Sequence, residues 1–188
     1  MTLHNDVLAC LRIWTPGSAA QRALREAYLG LLLAREDATS RTCVPGHITA
    51  SVLVVSPDLT RTALVLHPIG GAWFQPGGHL EATDVTLADA ARREVREETG
   101  LEVDLDETIV HLDCHPIACR GSAPTRHFDV RFVGVAAADG LTISHESDDL
   151  SWWGLDEAAS LSPEMNDFIT VARVRLEAFS AAGRRWER

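Results

Sequence analysis

Arg93, Glu94, Glu97 and Glu98 fall within one short stretch, and the pattern around them predicts a helix from about Leu87 to Thr99 with Gly100 at its C′ position. On a helical wheel with Leu87 at 0°, Ala91 falls at about 40°, Val95 at about 80° and Ala88 at about 100°, which defines a core-facing stripe. Glu98 falls at about 20°, Glu94 at about 340° and Glu97 at about 280°. Two of the three acids thus sit at the edge of the apolar stripe, where unpaired carboxylates are costly. Arg93, at about 240°, lies opposite the stripe and reaches Glu97 at i,i+4. Two readings stand. The acids are hard oxygen ligands for Mg²⁺ or Mn²⁺, or the helix is a solvated Glu/Arg surface laced with ion pairs.

The same stretch resembles the Nudix box, G-x5-E-x7-R-E-U-x-E-E-x-G-U, where U is a bulky aliphatic residue. Gly78 opens it, and Arg93 to Leu101 matches every fixed position of its second half. Asp84 stands where the first Glu is expected, and one extra residue precedes Arg93. The insertion falls in the loop before the helix and leaves the metal-binding half intact. The surrounding strands and helices extend the resemblance over residues 46–161. It implies a Nudix hydrolase, cleaving a nucleoside diphosphate linked to another group with Mg²⁺, or Mn²⁺ as a substitute. It further implies that Glu97 and Glu98 ligate metal, that Glu94 is a further ligand or the general base, and that the Gly77 carbonyl is a backbone ligand. Arg93 would orient the carboxylates without touching substrate. The family often adds an acid from a later loop, and Glu146 is the residue expected to supply it.

Around this helix the 188-residue chain divides by periodicity. Residues 1–40 read as a helical extension, broken at Thr15-Pro16-Gly17-Ser18. Residues 46–188 read as the Nudix domain, ending in a helix from Ser162 onward. Strands are expected at Ile48–Val55 and Thr62–His67 as a hairpin, at Trp73–Phe74, near Glu102–Val103, at Ile109–Ile117 and Arg126–Val135, and around Leu150–Gly154. The fold class is α+β, a Nudix-type α/β/α sandwich with a mixed sheet, flanked by the N-terminal helical extension and the C-terminal helix.

No apolar run is long enough to span a bilayer. The net charge of −10 argues against extended nucleic-acid binding, while leaving an anionic small substrate open once a cation reverses the local field. Cys10, Cys43, Cys114 and Cys119 match no zinc spacing, and with no secretory signal in Met1 to Cys10 the expected compartment is the cytoplasm. The expected partner is a small nucleotide, with no membrane. The helical extension caps the sheet, closes over the site or forms a homodimer.

Alternation in two strands places further chemistry. His111, Asp113 and His115 share one face, as do His127, Asp129 and Arg131. Paired, these faces are continuous. Three readings compete: Arg131 and its neighbours bind phosphate or ribose, the His/Asp pairs form a hydrogen-bonded ladder, or they form a second, imidazole-rich metal site. Candidate substrate-binding residues are His79, Arg126, His127, Asp129 and Arg131. One of Trp152 and Trp153 is expected in the core, with the other and Trp73 free to stack on a base. The only Tyr, Tyr28, does not follow the box as in relatives that cut dinucleoside polyphosphates; Pro116 stands near the place where ADP-ribose-cleaving relatives carry a Pro. The alternative function is a Nudix-like sensor that binds without cleaving. Such modules usually lose acids from the Arg-Glu-x-x-Glu-Glu core, and here all are kept.

Overall fold

The computed structural model describes residues 2–67, 71–117, 125–143 and 148–181. In chain order the elements are α1 (Leu3–Ile13), α2 (Ala19–Ala34), β1 (His47–Val55), β2 (Arg61–His67), β3 (Ala72–Phe74), β4 (Gly77–His79), α3 (Leu87–Thr99), β5 (Val103–Ile117), β6 (Thr125–Ala136), β7 (Asp149–Gly154), α4 (Leu155–Ala159) and α5 (Pro163–Ala181). The strands form one mixed sheet with the path β3-β2-β1-β6-β5. The central strand, β1, runs parallel to β6 along its whole length. Its other edge is shared by β4, antiparallel against Thr49–Ser51, and by β2 at Val55.

Alternation along β1 sorts the layers. Ile48, Ala50, Val52 and Val54 face a core built with α1, α2 and α3, while Leu53 and Val55 face a second core with α4 and α5. The structure is therefore the expected α/β/α sandwich.

The two N-terminal helices belong to the first core. Val7, Leu11, Tyr28 and Leu32 are buried, and burying each such side chain is worth about 1.5–3 kcal/mol. Polar contacts fix the docking angle. Asp6 accepts a bond from Leu87 N at 2.8 Å, so a carboxylate of α1 caps the first turn of α3. Gln21 bonds both the N–H and the C=O of Leu112 at 2.8 and 2.9 Å, satisfying a residue of the outermost strand as a neighbouring strand would. The Tyr28 hydroxyl reaches the carbonyls of Asp113 and Asp129.

α3 begins at a reciprocal capping box between Thr86 and Asp89 and ends at Gly100, whose φ of 70° needs a residue without a Cβ. The strands expected at Glu102–Val103 and Ile109–Ile117 are one element, β5, with a register shift between Asp106 and His111. Asp106 accepts a bond from Thr108 N at 3.0 Å, a local turn that bulges the strand without ending it. Neither β4 nor α4 was expected from periodicity, because three and five residues carry too little pattern.

The bulge also anchors the far layer. Asp106 receives bonds from Arg175 Nε and Nη2, and Arg175 Nη2 also meets the Thr108 hydroxyl at 2.9 Å. Burial alone would raise the Asp106 carboxyl, but the bonds from Arg175 and Thr108 hold it below the ordinary carboxylate range. A depressed carboxyl contributes stability above its unfolded value and loses it as pH falls through the folded one. Chemical denaturation should therefore show parental stability falling below about pH 4, and Asp106→Asn should flatten that fall. An unchanged acid limb in Asp106→Asn would remove this pair from the account.

Candidate active site

On α3 the predicted stripe is buried, and it is wider than expected. Ala90 joins Leu87, Ala88, Ala91, Val95 and Thr99, so Glu94 lies within the stripe, not at its edge. Gly78 of β4 lies close to Glu94: a Cβ there would come within 2.7 Å of the carboxylate.

Arg93 does not face solvent as the wheel suggested. The loop from His79 to Asp84 folds over it, and its guanidinium serves as a hub. Nε and Nη2 meet Asp84 at 3.0 Å each, Nη1 meets Glu94 and Glu97 at 2.9 Å each, and Nη2 donates to the His79 carbonyl at 2.8 Å. The one-residue insertion before the helix therefore still brings Asp84 to Arg93 as a two-point partner. Glu98 accepts a bond from Gly77 N at 3.0 Å. Among the described residues the three helix acids do not converge on one point: Glu94 and Glu97 turn to Arg93, and Glu98 turns to Gly77.

One guanidinium cannot neutralise Asp84, Glu94 and Glu97 together. Burial raises the Glu94 carboxyl to about 7; Arg93 pulls it down, and Glu97 and Asp84 push it up. Surplus carboxylates beside a backbone turn form a hard-oxygen donor set, which fits a divalent cation of the Mg²⁺ type.

This cluster borders a cleft of about 650 Å³, within the range of small-molecule sites. Gly77, Gly78 and Glu98 form part of its wall, and Asp113, His115, His127, Asp129 and Arg131 form another part. The register places His111 opposite Arg131, Asp113 opposite Asp129 and His115 opposite His127, so the two polar strand faces are continuous. Arg131, buried, sits between Asp113 and Asp129 at 3.0 Å from each. Asp129 also accepts from Thr49 at 3.0 Å, Ser51 at 2.7 Å and Gln75 at 3.4 Å. His115 lies 2.7 Å from Asp113. Burial alone would raise the Asp113 carboxyl, but His115 and Arg131 hold it below the usual range. Of the three readings, this geometry favours the ladder for Arg131, which nevertheless lines the cleft.

The remaining predicted residues are placed less simply. His127 lines the cleft; His79, at the end of β4, packs its ring against His127 with centroids 5.0 Å apart. Arg126 is exposed and is turned away from the site, because alternation puts it on the face opposite His127 and Asp129. Glu146 lies outside the described residues, as does Cys119. Trp152 and Trp153 point to opposite faces and both are half-buried. Trp153 packs on Trp73 with centroids 5.1 Å apart, so Trp73 is engaged in ring packing. Phe74, at the cleft rim, is 48% exposed. Sequence reasoning missed Phe74, Gln75, His47, Thr49 and Ser51. The last three had a readable signal: polar residues at every second position of an otherwise apolar strand.

Replacing Arg131 by Ala strands two carboxylates, one of them buried, a loss on the order of 3–5 kcal/mol. Thermal denaturation should show a large drop in Arg131→Ala and partial recovery when Asp129→Asn is added. A variant that melts like the parent but has lost substrate affinity would instead assign Arg131 to substrate.

A family profile described as the NUDIX domain matches residues 45–171. A curated relative, the m7GpppN-mRNA hydrolase NUDT17 of Danio rerio, is 38% identical over 80 residues, covering 40% of this chain and 26% of the relative. The match thus spans about a quarter of that relative's length. Among solved structures, the NUDIX domain of Shewanella oneidensis NrtR complexed with ADP ribose has a TM-score of 0.57 at 19% identity, covering 78% of this chain and 97% of that one. An Ap4A hydrolase binary complex of C. elegans has a TM-score of 0.54 at 18% identity, covering 70% and 98%. These structural likenesses establish the fold.

Proposed function

The chain belongs to the Nudix family, and from that premise we propose that it hydrolyses a phosphoanhydride bond in a nucleoside diphosphate linked to another moiety, such as a nucleoside triphosphate or a nucleotide sugar of the ADP-ribose type. The observation that carries this reading is the complete Arg-Glu-x-x-Glu-Glu set on α3, with Glu94 and Glu97 held by Arg93 and Glu98 at the wall of the cleft. The Ap4A and ADP-ribose named for the structural neighbours, and the capped RNA named for the relative, belong to the same chemical class.

Glu97 and Glu98, with Glu94 and the Gly77 carbonyl, would hold the divalent cation. When bound, that cation supplies neutralisation of the phosphate oxygens. The chain's own residues do the rest. Arg93 fixes the directions of the Glu94 and Glu97 carboxylates and pins the His79 carbonyl, keeping the Gly77–Gly78 turn against the helix. Glu94, where it is not itself a ligand, would accept the proton of an attacking water. Phe74 offers an exposed ring at the rim for a base. The two polar strand faces supply donors and acceptors for ribose or phosphate.

No helix among the described residues is long and apolar enough to cross a membrane.

Purified protein incubated with a nucleotide library should release phosphate, pyrophosphate or a nucleoside monophosphate with Mg²⁺. Turnover should stop in excess chelator and return with Mg²⁺ or Mn²⁺. Glu98→Gln should cost about two orders of magnitude or more in kcat with its melting temperature kept. Full turnover in chelator, or parental kcat in Glu98→Gln, would contradict the proposal. Tight nucleotide binding with no product would favour the sensor reading.

A further inference from the structure

A second donor set lies beside the cleft, and none of it is on α3. His47 opens β1, His79 closes β4 and His127 lies on β6. The sheet brings them together: His47 is opposite His127 in the parallel β1–β6 pair, and His79 is opposite Thr49, two residues along from His47. Ring centroids are 5.0 Å apart for His47–His79, 5.1 Å for His47–His127 and 5.0 Å for His79–His127. One nitrogen from each ring lies within 4.8 Å of the other two.

Three imidazoles in so small a space need a reason. They gain little as cations, because each would repel the others. Burial also disfavours a charge on any of them. A neutral imidazole carries one lone pair to offer. Ring packing accounts for the contacts but leaves a cost. His47 is fully buried, and its Nε2 has no hydrogen-bond partner among the described residues. Its Nδ1 faces the Cys43 carbonyl at 3.4 Å. A carbonyl only accepts, so that long bond places the proton on Nδ1 and the lone pair on Nε2. A backbone carbonyl behind the distal nitrogen is how metal-binding histidines are commonly oriented.

We propose that His47, His79 and His127 bind a borderline-soft divalent transition metal ion of the Zn²⁺ class through three imidazole nitrogens, with a fourth position left for an oxygen donor from the cleft that His127 lines. Imidazole ligands suit Zn²⁺ and its neighbours, whereas the carboxylates of α3 suit Mg²⁺ and Mn²⁺. The two sites are therefore chemically distinct, and this one does not depend on the hydrolase reading. Zn–N bonds of about 2.0–2.1 Å at tetrahedral angles set ligand nitrogens roughly 3.4 Å apart. Side-chain adjustments of about an ångström close the set. The ion would also tie β1, β4 and β6 together at their shared end.

The test uses the full chain, stripped with chelator and exchanged into metal-free buffer. Zn²⁺ is titrated against a chromophoric competitor, and Co²⁺ is added separately as a spectroscopic probe. The parent and Glu98→Gln should each bind one tight zinc, and Co²⁺ should give the intense visible bands of a tetrahedral site. His79→Gln and His127→Gln should each weaken zinc by at least about tenfold and lose those bands, with circular dichroism confirming their fold. X-ray absorption of the zinc-loaded parent needs no variant, and should show imidazole scattering from three ligands. No stoichiometric zinc in the parent, zinc lost in Glu98→Gln but kept in both His variants, or a shell of oxygen ligands only would overturn the proposal.

Discussion

One guanidinium organises the candidate site. Arg93 bonds Asp84, Glu94, Glu97 and the His79 carbonyl at once. These bonds close the loop between β4 and α3, and they set the Gly77–Gly78 turn against the helix. Arginine suits the position because its donors are fixed in a plane and can serve several acceptors together; a lysine would offer a single point charge. The same arrangement leaves the cluster with more carboxylates than cations. Burial, with Glu97 and Asp84 beside it, raises the Glu94 carboxyl within that cluster.

The rest of the fold supports that hub from two sides. On one face of the sheet, α1 and α2 bury their apolar stripes next to α3, and Asp6 caps its first turn. On the other face, the polar ends of β1, β5 and β6 line the cleft, with Arg131 balanced between two acids. The boundary between these polar ends and the second apolar core runs across the sheet: Thr49 and Ser51 give way to Leu53 and Val55 on the same face of β1. The polar cleft lining and the apolar packing thus share strands and are separated only along their length.

Much of this was legible in the sequence because the signals were local. The bounds of α3 follow from a helical repeat and a glycine at its end. The continuous polar face of β5 and β6 follows from simple alternation. What was not legible depends on partners distant in the chain. Nothing near Gln21, Tyr28 or Asp6 says that they bond Leu112, the carbonyls of Asp113 and Asp129, or Leu87. Arg93 was placed opposite the core correctly by angle, but a loop covers that side. Glu94 was placed at the edge of the stripe because the wheel did not count Ala90 as buried. β5 looked like two strands because Asp106–Thr108 has turn chemistry, which here makes a bulge. Arg126 was chosen for its place near the hairpin loop, where alternation alone would have sent it to the other face.

The central claim is that the carboxylates held around Arg93 bind the divalent cation. Anomalous diffraction from crystals soaked in Mn²⁺ tests it most directly, because the ion reveals its own position. The account predicts a peak bonded to Glu97 and Glu98 and to the Gly77 carbonyl, with Glu94 alongside. Manganese bound only elsewhere, with none at α3, would contradict it.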